Sequence, residues 1–176
     1  MSNSETPELF YMPYEVFLTD SRAVAQQIKE GDWQPDFIVG IGRGGLVPAV
    51  YISHRLHLPM LSIDHSSKVP GFADELLATV AEKSAAGVKL LFVDDINDSG
   101  GTIDYIRHLL TEQGCNTGNL RFAVIINNTQ SKVEVDYWAK KIDRTVDKRW
   151  FVFPWEAVGR TDTIVDEALS VPERLN

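Results

Sequence analysis

Residues 89–102 read KLLFVDDINDSGGT, and this stretch decides the fold that the sequence predicts. It begins with an uninterrupted apolar run, Leu90 to Val93, which is typical of a strand buried on both faces of a parallel sheet. A glycine-containing turn follows. Apolar residues then recur at positions 103, 106, 109 and 110, which is the spacing of one helical face. The stretch therefore predicts a strand, a tight turn and a helix.

The same stretch carries unusual chemistry. Asp94, Asp95 and Asp98 lie within five residues, with no basic residue among them. Such a density of like charge is costly unless hydroxyl groups, a proton or a metal ion compensate it. The turn Ser99–Thr102 precedes a helix N-terminus, where free N–H groups and the helix dipole favour phosphate. The carboxylates can bind sugar hydroxyl groups or Mg²⁺, and a phosphate-binding turn follows them. Together these features suit a phosphorylated sugar as the ligand.

This segment resembles the phosphoribosyl-diphosphate (PRPP) signature of type I phosphoribosyltransferases: apolar residues, two acids, two variable positions, then Asp-Ser/Thr-Gly-x-Thr. The resemblance implies that Asp94 and Asp95 hold the ribose hydroxyls and Mg²⁺. It also implies that Asp98 lies near purine N7, as general base or charge partner. The residues implied to wrap the ribose 5-phosphate are Asp98, Ser99, Gly100, Gly101 and Thr102. A competing interpretation is a plain strand-turn-helix with an acidic N-cap.

A second glycine-rich loop, Gly40–Gly45, follows a predicted strand and precedes a predicted helix. It satisfies the dinucleotide pattern Gly-x-Gly-x-x-Gly, and Asp64 follows near the next strand's end. A bulky cation inside that pattern is unusual. The Arg-Gly-Gly arrangement instead resembles the pyrophosphate loop of purine phosphoribosyltransferases, which implies that Gly42, Arg43 and Gly44 contact the diphosphate. The resemblance also predicts a cis peptide bond between residues 42 and 43.

The aromatic cluster Trp150–Glu156 is the candidate base site. It resembles the hood of bacterial xanthine-guanine phosphoribosyltransferases. By that resemblance Trp150 stacks on the purine, the main chain of Phe151 reads its edge, and Glu156 lies near pyrophosphate or Mg²⁺. We expect Trp155 to serve packing. The alternative is a core strand at a sheet edge.

The chain departs from the family pattern at two places. The 6-oxopurine enzymes carry a Lys after the fourth strand that contacts the purine O6, whereas this chain has Asn127, Asn128 and Thr129. Asn128 is the expected amide donor, and Lys132 is a second candidate. In residues 65–87, where the family has a mobile loop, the usual Ser-Tyr pair is absent. The nearest substitutes are Ser66, Ser67 and Lys68.

The remaining pattern predicts alternating helices and strands. Asp20 is the expected N-cap of a helix that runs from Ser21 to Glu30. The other predicted elements are strands at 36–41, 59–64, 120–126 and 132–137, and helices at 73–83 and 161–169. Residues 1–10 are predicted to be a loose tail. This order predicts a single α/β domain over 1–176, with a mostly parallel twisted sheet flanked by helices. The resemblance divides it into a core at about 14–130 and a small C-terminal hood at about 131–160 plus the N-terminal segment.

Composition restricts the partners. A net charge of −8 argues against broad binding of nucleic acid or anionic membranes. No apolar run approaches the ~20 residues of a membrane span. The single cysteine, Cys115, and the absence of a signal-peptide pattern predict a cytoplasmic protein. His54 and His57 lack the further ligands of a zinc site. Family members are commonly homo-oligomers, which implies a dimer or tetramer.

The reaction that these expectations describe is Mg²⁺-dependent transfer of a phosphoribosyl group from PRPP to a purine nitrogen, for purine salvage. Three other functions stay open. The first is the same chemistry on another base, such as adenine or a pyrimidine. The second is a nucleotide-binding regulator of the same fold without turnover. The third is a dinucleotide-binding oxidoreductase, which depends only on residues 40–45 and leaves the three acids of residues 94–98 unexplained.

Overall fold

The structure is a computed structural model that describes residues 7–63 and 72–170, with the side chains of 72–75 left undescribed. Its elements, in chain order, are β1 (Leu9–Tyr11), α1 (Tyr14–Glu30), β2 (Phe37–Ile41), α2 (Gly42–Leu56), β3 (Met60–Ile63), α3 (Phe72–Ala85), β4 (Leu90–Asn97), α4 (Gly101–Glu112), β5 (Leu120–Asn128), β6 (Tyr137–Ile142), β7 (Trp150–Val152) and α5 (Thr161–Leu169). Among the described segments, no helix is both long and apolar enough to cross a bilayer.

Five parallel strands form the central sheet in the order β3-β2-β4-β5-β6. Two apolar clusters cover its two faces. Leu91 and Val93 of β4 belong to the cluster that includes α1 and α2, whereas Leu90 and Phe92 belong to the cluster that includes α3 and α4. All four side chains are fully buried, because successive residues of a strand point to opposite faces. The predicted α/β fold with a mostly parallel sheet is therefore confirmed.

A second, two-stranded sheet joins the beginning of the described chain to its C-terminal part. β1 pairs in parallel with β7, so that Leu9 lies opposite Trp150 and Phe10 opposite Phe151. The prediction of a loose tail is wrong for residues 9 and 10, which lie in β1. A three-residue strand whose partner is far along the chain has no local signal strong enough to identify it.

Asp20 does not cap a helix, contrary to the prediction. α1 begins at Tyr14, directly after Pro13, whose carbonyl accepts hydrogen bonds from the N–H groups of Val16 and Phe17. Asp20 lies inside this helix, nearly buried, with one carboxylate oxygen 2.8 Å from Nζ of Lys140 on β6. The acid suggested a helix start from the local sequence, but its partner lies far away in the chain.

The strand predicted at 132–137 is also wrong, because strand β6 begins at Tyr137. The exposure of residues 132–136 does alternate as the sequence pattern indicates. Most of the segment, however, does not pair with a strand: Lys132 N–H donates to Ser99 O at 3.3 Å, and Val133 O accepts from the Asn97 side chain at 2.8 Å. Bonding to β5 starts only at the end of the segment, where Asp136 N–H donates to Phe122 O at 2.8 Å. Alternation therefore predicted burial correctly and strand pairing incorrectly.

Candidate active site

The two glycine-rich loops meet at the carboxyl ends of neighbouring strands. β2 and β4 are adjacent, with Gly40 opposite Val93, so the chain after β2 lies beside the acids of β4. A cavity of about 650 Å³ opens there. Its lining includes most of the predicted ribose and diphosphate residues, namely Gly42, Arg43, Gly44, Asp94, Asp95, Thr102 and Glu156. The fold therefore brings these two segments to one site.

The loop at the start of α2 needs glycine because it rests directly on the acidic strand. A Cβ atom at Gly44 would overlap the Asp95 carboxylate, and one at Gly45 would overlap the main-chain carbonyl of Val93. Gly42 has a φ of +55°, in the left-handed region that favours glycine. No side chain separates the loop from the two acids.

The predicted cis peptide bond between residues 42 and 43 is wrong: every peptide bond in residues 7–63 and 72–170 is trans. The positive φ of Gly42 turns the chain from β2 directly into α2. Arg43 follows in the first helical turn, exposed at the cavity wall. It makes no ion pair with any described residue, which leaves its charge available to an anionic ligand there.

Asp94 and Asp95 lie within β4, because this strand continues past Val93 to Asn97. Burial raises the pKa of the Asp94 carboxyl well above its usual range, and the neighbouring Asp95 carboxylate raises it further. One hydrogen bond opposes this pKa shift, because the Asp95 N–H donates to Asp94 Oδ1 at 3.0 Å. A cation or a pair of hydroxyl donors at this position would relieve the repulsion between the two carboxylates.

The turn Asp98–Thr102, which we call the phosphate-type turn, follows the end of the same strand. Gly100 is the N-cap of α4 with a φ of +89°, and Ser99 Oγ accepts a hydrogen bond from the Gly101 N–H at 3.3 Å. The first N–H groups of α4 have no partners inside the helix. A Cβ atom at Gly100 would approach Ser131 Oγ to 2.8 Å and Val133 Cγ2 to 3.0 Å, so this turn packs tightly against the following loop.

Asp98 has a partner that the sequence did not predict. Its carboxylate makes a two-pronged ion pair with Arg144, with Oδ1 2.9 Å from Nε and Oδ2 3.3 Å from Nη2. Asn128 also bonds to this residue, because its Nδ2 donates to the Asp98 main-chain carbonyl at 3.0 Å. Asn128 is buried, and its side-chain oxygen accepts from two further main-chain N–H groups.

The aromatic cluster is divided between the second sheet and the cavity wall. Trp150 is half-buried on β7, and Phe151 is buried with its ring edge-on to Phe10 at 5.5 Å between centroids. Trp155 stacks on Phe153 at 4.9 Å between centroids, which agrees with the predicted packing role, and it also borders the cavity. Glu156 lines the cavity while its carboxylate accepts from the Phe153 N–H at 2.9 Å.

One wall of the cavity was not predicted. Thr163, Ile164 and Glu167 of α5 line it together with the glycine loop. The sequence predicts α5 as a helix but contains no signal for where this helix packs. The candidates Asp64, Ser66, Ser67 and Lys68 lie outside the described residues. Within the described part of the chain, no group of three His, Cys, Asp or Glu side chains forms a metal-binding cage.

Comparison with known proteins agrees with this geometry. Residues 14–158 match the family described as the phosphoribosyl transferase domain. Xanthine-guanine phosphoribosyltransferase of Cereibacter sphaeroides is 28% identical over 158 residues, which cover 84% of this chain and 86% of that protein. The purine phosphoribosyltransferase of Pyrococcus horikoshii aligns with a TM-score of 0.63 at 25% identity, over 84% of this chain and 93% of that one.

A protein of Neisseria gonorrhoeae, solved with bound ppGpp, aligns with a TM-score of 0.66 at 20% identity. This alignment covers 97% of this chain and 98% of that one, and it shows a shared fold. The family match ends at residue 158, so that α5 lies beyond the matched region. From the family match and the shared architecture, the chain belongs to the phosphoribosyl transferase domain family and is an α/β enzyme with the type I phosphoribosyltransferase fold.

Proposed function

We propose that the enzyme transfers the phosphoribosyl group of PRPP to a 6-oxopurine, giving the nucleoside 5′-monophosphate and pyrophosphate. Xanthine, guanine and hypoxanthine are the candidate bases. One observation carries the proposal: a glycine loop with an exposed Arg43 rests directly on Asp94 and Asp95, and a phosphate-type turn ends the same strand. The names of the relatives, which are xanthine-guanine phosphoribosyltransferases, support the choice of base.

The ribose and its 5-phosphate are proposed to bind along β4 and the start of α4. Asp94 and Asp95 can accept hydrogen bonds from the two ribose hydroxyls. Ser99 through Thr102 surround the position in front of the α4 N-terminus, where main-chain N–H groups bind phosphate. Thr102 lines the same cavity as the two acids, so a single sugar phosphate can span both parts.

The diphosphate is proposed to bind on the loop Gly42–Gly44, with Arg43 as its charged contact. The cavity offers oxygen ligands, and Mg²⁺ is commonly bound through one or two carboxylates together with substrate phosphates. Asp95 and Glu156 fit such a partial set and would hold the ion, since both line the cavity. Bound Mg²⁺ would supply charge neutralisation on the diphosphate as it leaves.

The proposed reaction breaks the bond between ribose C1 and the diphosphate oxygen and forms a bond from C1 to a purine nitrogen. Positive charge develops on the sugar in the transition state, and the carboxylates of Asp94 and Asp95 stabilise that charge. Arg43 stabilises negative charge on the departing diphosphate. Asp98 is the proposed general base or charge partner of the purine at N7.

The base is proposed to stack on Trp150 while the main chain of Phe151 reads its edge. An indole face can cover a purine, and such stacking contributes about 1–3 kcal/mol per base. Asn128 stays a candidate for the base only through one N–H of its amide group, because the other donates to the Asp98 carbonyl. The proposal includes a cytoplasmic homo-oligomer, dimer or tetramer, in which Cys115 stays reduced.

A direct test is to measure PRPP consumption and nucleotide formation with and without Mg²⁺. The base panel contains xanthine, guanine, hypoxanthine, adenine, uracil and orotate. We expect Mg²⁺-dependent turnover with at least one 6-oxopurine. Turnover with only adenine or a pyrimidine would mean that the substrate base is that one and not a 6-oxopurine. Nucleotide binding without turnover would favour a regulator, and a protein that ignores PRPP would contradict the proposal.

A further inference from the structure

Arg144 stands out because it is the one buried basic residue in the described part of the chain. Only 8% of its side chain is exposed. It lies in the connection between β6 and β7, where the local sequence, IDRTVDKRW, gives no reason for burial. A buried charge is costly unless it is paired and hydrogen-bonded, so the partners of Arg144 indicate what it is for.

The guanidinium of Arg144 uses four of its five N–H groups within the protein. Nε and Nη2 grip the two carboxylate oxygens of Asp98 at 2.9 and 3.3 Å. Nη1 donates to the carbonyls of Asp147 at 3.1 Å and Arg149 at 2.7 Å. The main-chain N–H of Arg144 itself donates to Asn128 Oδ1 at 3.2 Å.

These partners belong to the two halves of the proposed base site. Asp98 begins the phosphate turn at the end of β4 and is the carboxylate proposed to face purine N7. The Arg149 carbonyl directly precedes Trp150, the proposed stacking residue. The guanidinium also lies over the ring of Phe151, with Cζ 5.1 Å from the ring centroid. One side chain therefore links the sheet to the strand that carries the base platform.

We propose that Arg144 is a positioning residue that holds the Asp98 carboxylate in register with the Trp150 platform. This inference rests on the proposed function. The proposed role is to orient the Asp98 carboxylate, because Arg144 is buried and acts on the base only through that carboxylate. Misplacement of a reacting group by about 1 Å costs on the order of 10²-fold in rate. The planar, rigid guanidinium group of an arginine can donate two parallel hydrogen bonds to one carboxylate, which a lysine ammonium group cannot do.

The test compares the steady-state kinetics of Arg144→Gln and Arg144→Lys with those of the wild type. We expect Arg144→Gln to lower kcat/KM for the base by roughly 100-fold while the KM for PRPP changes by less than about threefold. The contacts proposed for the ribose hydroxyls and the diphosphate come from Asp94, Asp95 and the loop Gly42–Gly44, and the side-chain hydrogen bonds of Arg144 go to Asp98, Asp147 and Arg149 instead. Arg144→Lys keeps the charge and allows folding if the glutamine variant fails to fold, and it should lose about tenfold.

Arg121→Gln is the matched control. Arg121 also pairs with an aspartate, with its Nε 3.1 Å from Asp136 Oδ1, but neither residue belongs to the proposed ribose, diphosphate or base site. This variant should lower the melting temperature and leave both KM values and kcat unchanged. A kinetic effect of Arg121→Gln equal to that of Arg144→Gln would show that the loss is a general consequence of destabilisation, and it would overturn the inference.

A double-mutant cycle with Asp98→Asn decides whether Arg144 acts through Asp98. In the Asp98→Asn background, Arg144→Gln should cost under about tenfold, because the carboxylate that it orients is already gone. Equal losses in both backgrounds, or equal increases in the KM for base and PRPP, would overturn the inference alone. A wild type that does not turn over PRPP in the same assay would overturn the proposed function, and the inference with it.

Discussion

The ribose–diphosphate half of the site and its base half are built in opposite ways. The first half comes from two short segments, 42–45 and 94–102, at the ends of neighbouring parallel strands. The second half is assembled from β1, β7, the residues before Trp150 and a buried Arg144. Local sequence chemistry therefore dictates one half, whereas contacts between distant segments create the other. Substitutions in the two halves should therefore differ in their effects, with the greatest loss of turnover expected at the acids of the first half.

Replacing both acids of the first half, Asp94→Asn with Asp95→Asn, should reduce turnover by at least roughly 10³-fold, because the ribose hydroxyls and the developing positive charge lose their carboxylates. The fold should survive, since amides occupy nearly the same volume. Kinetics with PRPP, together with circular dichroism, measure both effects. Near-normal turnover in a folded variant would contradict the assignment of Asp94 and Asp95 to ribose binding.

Gly45→Ala tests how closely the glycine loop of the first half approaches strand β4. The added methyl group would overlap the Val93 carbonyl, so we expect a loss of about 1–3 kcal/mol in the free energy of unfolding together with lower activity. Gly101→Ala is the stability control, because its Cβ would lie 3.5 Å from the nearest atom, Ser99 Oγ. If urea unfolding gave the two variants equal stability, the close approach at Gly45 would be contradicted.

Trp150→Ala separates the base half from the first half. Loss of stacking should raise the KM for the base by roughly 10- to 100-fold, which corresponds to about 1–3 kcal/mol. The KM for PRPP should stay within about threefold of the wild type. Steady-state kinetics with each substrate varied in turn provide the measurement. Equal increases in both KM values would mean that Trp150 supports the whole site rather than the base alone.

Asp94→Asn alone should make the protein more stable, in a way that depends on pH. The pKa of Asp94 is raised in the folded state by burial first and by Asp95 second. The folded state therefore binds more protons than the unfolded state between the two pKa values, and stability falls as the pH rises through that window. Asparagine carries no charge and avoids this penalty.

The melting temperature of Asp94→Asn should therefore exceed that of the wild type by a few degrees at about pH 8, and by less at about pH 5. Differential scanning calorimetry without substrate measures the difference. Asp166→Asn, an exposed substitution on α5, serves as a comparison that should not show this trend. A difference that is the same at both pH values would indicate that Asp94 is not destabilised by its charge.

Much of the fold and of the first half could be predicted because each feature has a local cause. The run Leu90–Val93 is apolar since both faces of β4 are covered, and Gly42 and Gly100 mark backbone with positive φ. Predictions failed where a distant partner decided the outcome. Asp20 resembled a helix cap but pairs with Lys140. The alternation at 132–137 indicated a strand, but Lys132 N–H bonds to Ser99 O and Val133 O bonds to the Asn97 side chain.

Periodicity and backbone freedom act over a few residues, and for this reason the parallel α/β architecture, the strand that carries the acids and the two glycine turns could be predicted from the chain alone. Only the tertiary structure decided that the glycine loop rests on Asp95, that α5 forms a cavity wall, and that Arg144 grips Asp98. The physical reason is distance along the chain. Arg144 follows β6 and Asp98 follows β4, and these strands lie on either side of β5 in the sheet, whereas no pattern in either segment specifies the other.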